Sequence, residues 1–368
     1  MTPRVTVVGL GLLGGSLLQA LSEKGFRASL QGVSAPETVA AAKKAGLIER
    51  GWGYDEVDLW KAESDLVILA TPIDRIEELL RALAASPARF PEGAVVTDVG
   101  STKRRICELG RSLSFGAPEP LFVGGHPMAG SEKHGFEARD GSLFESALWL
   151  LCPPEDRPAV PDALAAVIDA VGARRVVLDP AEHDRHVAWV SHLPQSLSTA
   201  LAAAVGRHSP ESVAFSGQGF RDMSRLAESS FPMWQGIFRT NAEALGDALD
   251  RAAEALAEFR GALAEGDFET LGRFFDEGSR LRTSVPSRTK GFASNLVDLV
   301  VDVKDRKGAL LAIVKPLSDA GLDIRDVALL KVREGVGGHL RISFRSTQEA
   351  LRAQEILAEN GFDARRPS

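Results

Sequence analysis

The hydrophobic and polar positions of this 368-residue chain fall into three textures. Up to about residue 178, short apolar, β-branched runs alternate with stretches rich in Ala, Leu and Glu. The runs lie at 5–8, 66–70, 95–98, 148–152 and 175–178. Such alternation predicts a sheet with crossover helices, at least partly parallel. Between about 180 and 283 the strand signals stop. There Leu245, Leu249, Ala252, Leu256, Phe259 and Leu263 recur at steps of three and four, the period of an amphipathic helix. Asn241 is placed to cap its start and Gly266 to end it. The apolar face of this middle region packs either on the first domain or on a helix of a second subunit.

In residues 279–294, Arg280, Arg282, Arg288 and Lys290 surround Pro286 and Gly291, the texture of a solvated linker. Beyond it a strand is predicted over 296–303 and a helix over 308–317. Strands over 324–332 and 339–344 flank a Gly-rich turn, a helix runs from 347 to about 360, and Phe362 opens a last strand. The predicted order is βαββαβ, an α+β module of about 70 residues. The expected organisation is an α/β domain over 1–178, an all-α domain over 179–283, a linker over 284–294 and the α+β domain over 295–368.

Composition narrows the class. The chain is 44% hydrophobic and 25% charged, as a globular protein is. Its net charge of −7 argues against a nucleic-acid partner. No apolar run approaches the ~18–20 residues of a membrane span. The first strand begins at Arg4, leaving no room for a secretory leader. Cys107 and Cys152 are too few for a disulfide framework or a cysteine-built metal site. The expected setting is cytoplasmic.

Chemistry enters first at Gly9-Leu10-Gly11-Leu12-Leu13-Gly14, between a predicted strand and a predicted helix. In a Rossmann-type fold these glycines permit a tight turn, backbone approach to a pyrophosphate, and close helix–strand packing. The anion sits on the helix N-terminus. About 20 residues on, where an acidic residue selects NAD, the chain has Ser34 and no following arginine; NAD is expected and NADP stays open. Thr71-Pro72 and the segment Asp98-Val99-Gly100-Ser101-Thr102-Lys103 follow strands, so both are expected to line the cofactor cleft. Asp98 reads equally well as a turn residue.

Residues 124–131, Gly-Gly-His-Pro-Met-Ala-Gly-Ser, hold one imidazole among residues with little bulk, which reads as a ligand-approaching loop. His126 is then a candidate acid–base group beside hydride transfer. Ser101 is placed to hydrogen-bond His126 or a substrate hydroxyl. His183 and His186 stand one turn apart near His192, but no acidic third ligand completes a metal motif, so no metal is expected. Pro194 is expected to kink that helix near Ser191-His192. The segment 216–222 is a second small-residue loop, and Arg225 beyond it suits either a carboxylate ligand or a surface salt bridge.

Taken together these segments resemble the prephenate dehydrogenase family. The likeness rests on the glycine motif, 65–72, 98–103, 124–135, 190–194, 219–225 and Met233-Trp234, and it covers nearly all of residues 1–280. The last ~70 residues resemble an ACT domain, a small-molecule regulatory module. The resemblance implies oxidative decarboxylation of prephenate with NAD(P) in tyrosine biosynthesis, and a homodimer is the expected assembly. His126 would take the ring-hydroxyl proton, with Ser101 orienting it and Arg225 binding a carboxylate. Ser191 and His192 would line the pocket, and Trp234 would close it. Where many prephenate-preferring members carry a second histidine this chain has Gln195, which leaves arogenate as an alternative substrate; Gln218 replaces a common glycine. In the ACT-like region, Asp305, Gly308, Ala309 and Leu310, with Asp323 and Ile324, match an amino-acid effector loop, implying feedback by tyrosine. A non-catalytic cofactor and amino-acid sensor is the rival of another class. A 3-hydroxy-acid dehydrogenase would need a helical-domain lysine, and none occurs between Lys133 and Lys290.

Overall fold

Strands buried on both faces require nearly continuous apolar runs, and this chain supplies them. The computed structural model describes residues 2–130, 133–284, 296–304, 306–333 and 337–366. It divides into two units, 1–271 and 272–368, with the division inside the helix Phe268–Ser284. In the first unit the strands are β1 (Arg4–Val8), β2 (Ser29–Val33), β3 (Arg50–Trp52), β4 (Leu66–Leu69), β5 (Val95–Asp98), β6 (Leu121–Pro127), β7 (Leu148–Cys152) and β8 (Arg174–Val177). Among the described residues they form one sheet in the order β3-β2-β1-β4-β5-β6-β7-β8. Pairing is parallel from β3 through β6, antiparallel between β6 and β7, and parallel again to β8. The chain winds outward in both directions from β1 and β4, so a cleft opens at the carboxyl ends of these strands. One face packs around Leu17, Leu21, Phe144 and Trp149, the other around Trp60, Ile76, Leu80 and Phe122.

The structure corrects the first half of the loop read over 124–131, leaves 128–130 irregular, and does not describe Ser131. Gly124, Gly125, His126 and Pro127 are the end of β6, paired residue for residue with Cys152, Leu151, Leu150 and Trp149. Glycine carries no strand preference, which hid the element. Its cause is space: a Cβ on Gly124 would lie 2.5 Å from Cys107 Sγ, and one on Gly125 would lie 2.4 Å from the Asp98 carbonyl oxygen.

The helical part of this unit runs through Pro180–Val187, a π-helical turn at Ala188–His192, and Leu193–His208. The expected effect of Pro194 is thus realised as a widened turn, which accommodates the missing N–H without ending the helix. Then come the helices Gln218–Ser224, Phe231–Thr240 and Ala242–Glu265, the last ended by Gly266 at φ 69°. Asn241 precedes that last helix but makes no side-chain cap. Leu245 and Ala248 are buried against Leu193, Leu197 and Phe238, whereas Leu256 and Leu263 farther along the same face are 64% and 60% exposed. Among the described residues no helix is long and apolar enough to cross a membrane.

The second unit has the predicted βαββαβ order. Strands β9 (Val297–Val303), β10 (Asp326–Arg333), β11 (Gly337–Phe344) and β12 (Ala364–Arg365) pair antiparallel in the order β10-β11-β9-β12. The helices Ala309–Asp319 and Thr347–Glu359 contribute Ile313, Leu317, Ala350, Ala353 and Leu357 to a core with Leu299, Val301, Leu340, Ile342 and Phe344. The predicted linker at 284–294 lies almost wholly outside the described residues.

Candidate active site

The first component is the turn after β1. Gly9 has φ +100°, and a Cβ there would meet the Ala70 carbonyl oxygen and the Thr71 methyl, each at 2.6 Å. A Cβ on Gly14 would lie 2.0 Å from the Gly9 carbonyl oxygen, so helix and turn touch through bare backbone. Gly11 faces open space. The helix Leu12–Glu23 starts there without a side-chain cap, and its first bond runs from Gly15 N–H to Gly11 C=O at 2.9 Å. The N–H groups of Leu12, Leu13 and Gly14 therefore precede the bonded ladder, at the positive end of the helix. This cradle fits a pyrophosphate. Thr71 and Pro72 flank it at the end of β4, and the Thr71 Oγ1 is buried without a partner among the described residues. Ser34, buried beyond β2, donates its N–H to Trp52 C=O at 3.1 Å.

Asp98 is not presented to the cleft. It is fully buried, and its carboxylate accepts from Gly100 N–H at 2.8 Å, Gly125 N–H at 3.0 Å and the Lys103 ammonium. The aspartate thus ties β5 to β6 and neutralises a buried lysine.

At the end of β6, His126 is held by a residue 57 positions away. His126 Nδ1 lies 2.9 Å from His183 Nε2, and His183 Nδ1 lies 2.8 Å from Asp184 Oδ1. Asp184 also accepts the backbone N–H groups of Lys103 at 2.7 Å and Arg104 at 3.0 Å, at the start of the helix Arg104–Ser112. Burial pushes the His126 imidazole well below its ordinary range, helped by His183, Lys103 and His192. Burial likewise lowers His183, with Asp184 acting in the opposite direction. Ser101 is half-buried at the mouth of the turn and makes no hydrogen bond to His126. His186 is exposed beside Glu182, so the two histidines one turn apart do not converge on one point.

The helical side brings a third imidazole. Asn241 Nδ2 donates to Asp184 C=O at 2.9 Å and faces His192 Nδ1 at 3.1 Å. A carbonyl can only accept, so the amide nitrogen is the donor to both, and His192 is left with its N–H on Nε2. Burial lowers His192 to about 4, keeping it neutral. Its ring meets Trp234 edge-on with centroids 5.9 Å apart, and the Trp234 indole N–H is buried without a partner among the described residues. Ser191 is half-buried on the π turn. Gln195 spends its amide within the chain, donating to Leu226 C=O at 2.8 Å and Thr199 Oγ1 at 3.2 Å. With Trp234, Phe231, Phe238 and Arg207 it lines an open pocket of about 510 Å³. Arg225 is exposed and makes no ion pair among the described residues. Gln218 bonds Asp222 at 2.7 Å in the first turn of its helix, so the expected loop at 216–222 is largely helical.

Comparison with known proteins bears on what this arrangement is. Residues 17–177 match the model of the prephenate dehydrogenase nucleotide-binding domain, and 179–277 match that of the prephenate dehydrogenase dimerization domain. The chain belongs to the prephenate dehydrogenase family. It is 32% identical over 367 residues to a prephenate dehydrogenase of Bacillus subtilis, covering 97% of this chain and 96% of that one. The prephenate dehydrogenase of Aquifex aeolicus, solved with hydroxyphenyl propionate and NAD+, is 28% identical with a TM-score of 0.69 over 78% of this chain and 99% of that one. The arogenate dehydrogenase of Synechocystis is 28% identical with a TM-score of 0.64 over 77% of this chain and all of that one.

For a prephenate dehydrogenase family member, the residues that sequence reasoning undervalued are His183, Asp184, Lys103 and Asn241. Their signal was faint: a His-Asp pair inside a predicted helix, and an asparagine that also suits a cap. In the second unit, Gly308 has φ +80° and starts the helix bearing Ala309 and Leu310. Asp323 pairs with Arg325, and Ile324 packs on the core. Asp305 lies outside the described residues.

Proposed function

We propose that this chain is a prephenate dehydrogenase, an NAD-dependent oxidoreductase converting prephenate to 4-hydroxyphenylpyruvate and CO₂. The observation that carries the reading is a neutral, buried His126 at the carboxyl edge of the sheet that bears the glycine cradle. The cradle at Gly9, Gly11, Leu12, Leu13 and Gly14 would hold the dinucleotide, which supplies the hydride acceptor when bound. Thr71 and Pro72 would flank it, and Ser34 would face the adenosine ribose, with NAD favoured over NADP by the absence of a neighbouring arginine.

His126 Nε2 accepts the proton of the substrate's ring hydroxyl as the same carbon gives up hydride. Loss of the ring carboxylate as CO₂ then leaves an aromatic ring, which makes the step irreversible. Base assistance of this kind is worth about 10²–10⁴-fold. His192 presents a donor to the substrate, Ser101 binds its hydroxyl, and Arg225 reaches a carboxylate. Gln195 and Trp234 line the pocket described above, and Ser191 would contact the substrate from the π turn. Arogenate is the alternative substrate, because the Gln195 amide stands where prephenate-preferring members often carry a histidine.

The exposed apolar stripe through Leu256 and Leu263 supports a homodimer formed through the helical region. The βαββαβ module supports an ACT-type regulatory domain, with tyrosine as the effector bound near Gly308, Ala309, Leu310, Asp323 and Ile324. We place the protein in the cytoplasm.

A matrix of initial rates tests this reading: prephenate and arogenate, each with NAD and NADP, with and without tyrosine. Turnover of prephenate with NAD is expected, lost by about 10²–10⁴-fold in His126→Ala. A folded protein that binds NAD yet turns over neither cyclohexadienyl substrate would point instead to a non-catalytic sensor.

A further inference from the structure

Proton abstraction needs one base, yet the structure stacks a second imidazole and a carboxylate behind it. The hydrogen bonds fix every proton in this stack. Asp184 Oδ1 accepts, so His183 carries its proton on Nδ1. A neutral His183 then offers a lone pair at Nε2, and His126 Nδ1 must donate to it across 2.9 Å. His126 is left with its lone pair on Nε2, the atom free to face substrate. The stack is rigid at its far end, because Asp184 is clamped by the Lys103 and Arg104 N–H groups and its own carbonyl is held by Asn241.

We propose that His183 and Asp184 are positioning residues that lock His126 in its Nδ1-protonated form and share the proton it takes from substrate. The inference rests on the reading of His126 as the base. As the hydroxyl proton arrives at His126 Nε2, the Nδ1 proton moves toward His183 Nε2. His183 then carries two N–H groups, one pointing at the Asp184 carboxylate. No electrons move within the relay; hydride leaves the substrate carbon separately. The charges facing the stack are consistent with this division. Lys103, paired with Asp98, opposes positive charge on both imidazoles, and His192 opposes it on His126. Asp184 is the carboxylate in direct contact, so it is the group that stabilises the shared proton.

The alternative is a core histidine merely satisfied by its neighbour, and the two predict different spectra and pH profiles. The ¹⁵N shifts of the His126 ring in the resting wild-type protein should report the Nδ1–H form. They should revert to the Nε2–H form in His183→Leu. In Asp184→Asn, kcat should fall about 10²-fold, within the range a general base supplies. KM should stay within about 3-fold, and the acid limb of kcat/KM should move to lower pH, because the imidazolium loses its counter-charge. His183→Gln keeps an acceptor at the Nε2 position, so it should preserve the His126 tautomer while kcat stays low. An Nε2–H form in the wild type overturns the relay outright, and so does an unmoved tautomer in folded His183→Leu together with an unmoved pH limb in folded Asp184→Asn. If His183→Leu fails to fold, Asp184→Asn and the wild-type spectrum still decide. If the wild type turns over no cyclohexadienyl substrate, the catalytic reading fails, while the tautomer measurement continues to test the hydrogen-bond chain.

Discussion

At the scale of single residues, the site is a set of imidazoles kept neutral by burial. An unfolded chain titrates its histidines near 6.5. His126, His183 and His192 all lie below that in the folded protein. When pH falls under about 6.5, the unfolded chain binds protons that the folded one refuses. Their contribution to stability is therefore intact above that pH and is lost as pH drops toward the folded values, about 4 for His192. For His192 alone the loss amounts to on the order of 3 kcal/mol. Urea unfolding from pH 8 down to 4 should show this acid slope, and His192→Asn, which keeps an acceptor for Asn241, should flatten it. Equal slopes in the two proteins would remove His192 from the account. His126 was legible in the sequence because a titratable ring among glycines is conspicuous. His183 was not, because its partners stand 57 residues upstream and one residue downstream, and no local spacing announces a bond across a fold.

At the scale of elements, alternation and period placed most strands and helices of both units, since those patterns reflect which face is buried. They failed at β6, where the reason for glycine is the proximity of other chain segments. The glycines at 11 and 125 are consequently unlike in kind. A Cβ at 125 meets the Asp98 carbonyl, whereas one at 11 meets nothing. Gly125→Ala should cost about 1–3 kcal/mol by forcing β6 away from β5, read as a lowered thermal midpoint. Gly11→Ala should leave the midpoint unchanged and weaken NAD binding in a fluorescence titration, because the methyl occupies the cradle. Equal effects of the two substitutions on stability would contradict the distinction. Asn241 is a similar lesson: its place before a helix reads as a cap, but its side chain is committed to Asp184 and His192.

At the scale of the molecule, the helix Ala242–Glu265 satisfies its apolar face only near its start. Leu256 and Leu263 remain open, which is costly for a lone protomer and natural for a surface covered by a second copy. The paired substitution Leu256→Asp and Leu263→Asp should convert a dimer to monomers in sedimentation experiments, and activity should fall with dimer content. An unchanged sedimentation coefficient would place the interface elsewhere. The hydrophobic period announced this stripe, but period alone could not say whether it met the chain's own sheet or a partner, because both choices bury the same side chains.

The π-helical turn at Ala188–His192 also sets an angular phase. In a regular α-helix, at about 100° per residue, the nine steps from His183 to His192 place them about 180° apart, on opposite sides of the rod. A turn that absorbs one extra residue takes back about 100° and leaves them about 80° apart, facing the same side. One inserted residue is thus enough to bring two imidazoles of a single helix, one bonded behind His126 and one against Asn241 and Trp234, to the same side of the rod. Its deletion would rotate His192, and the whole helix behind it, out of the cleft.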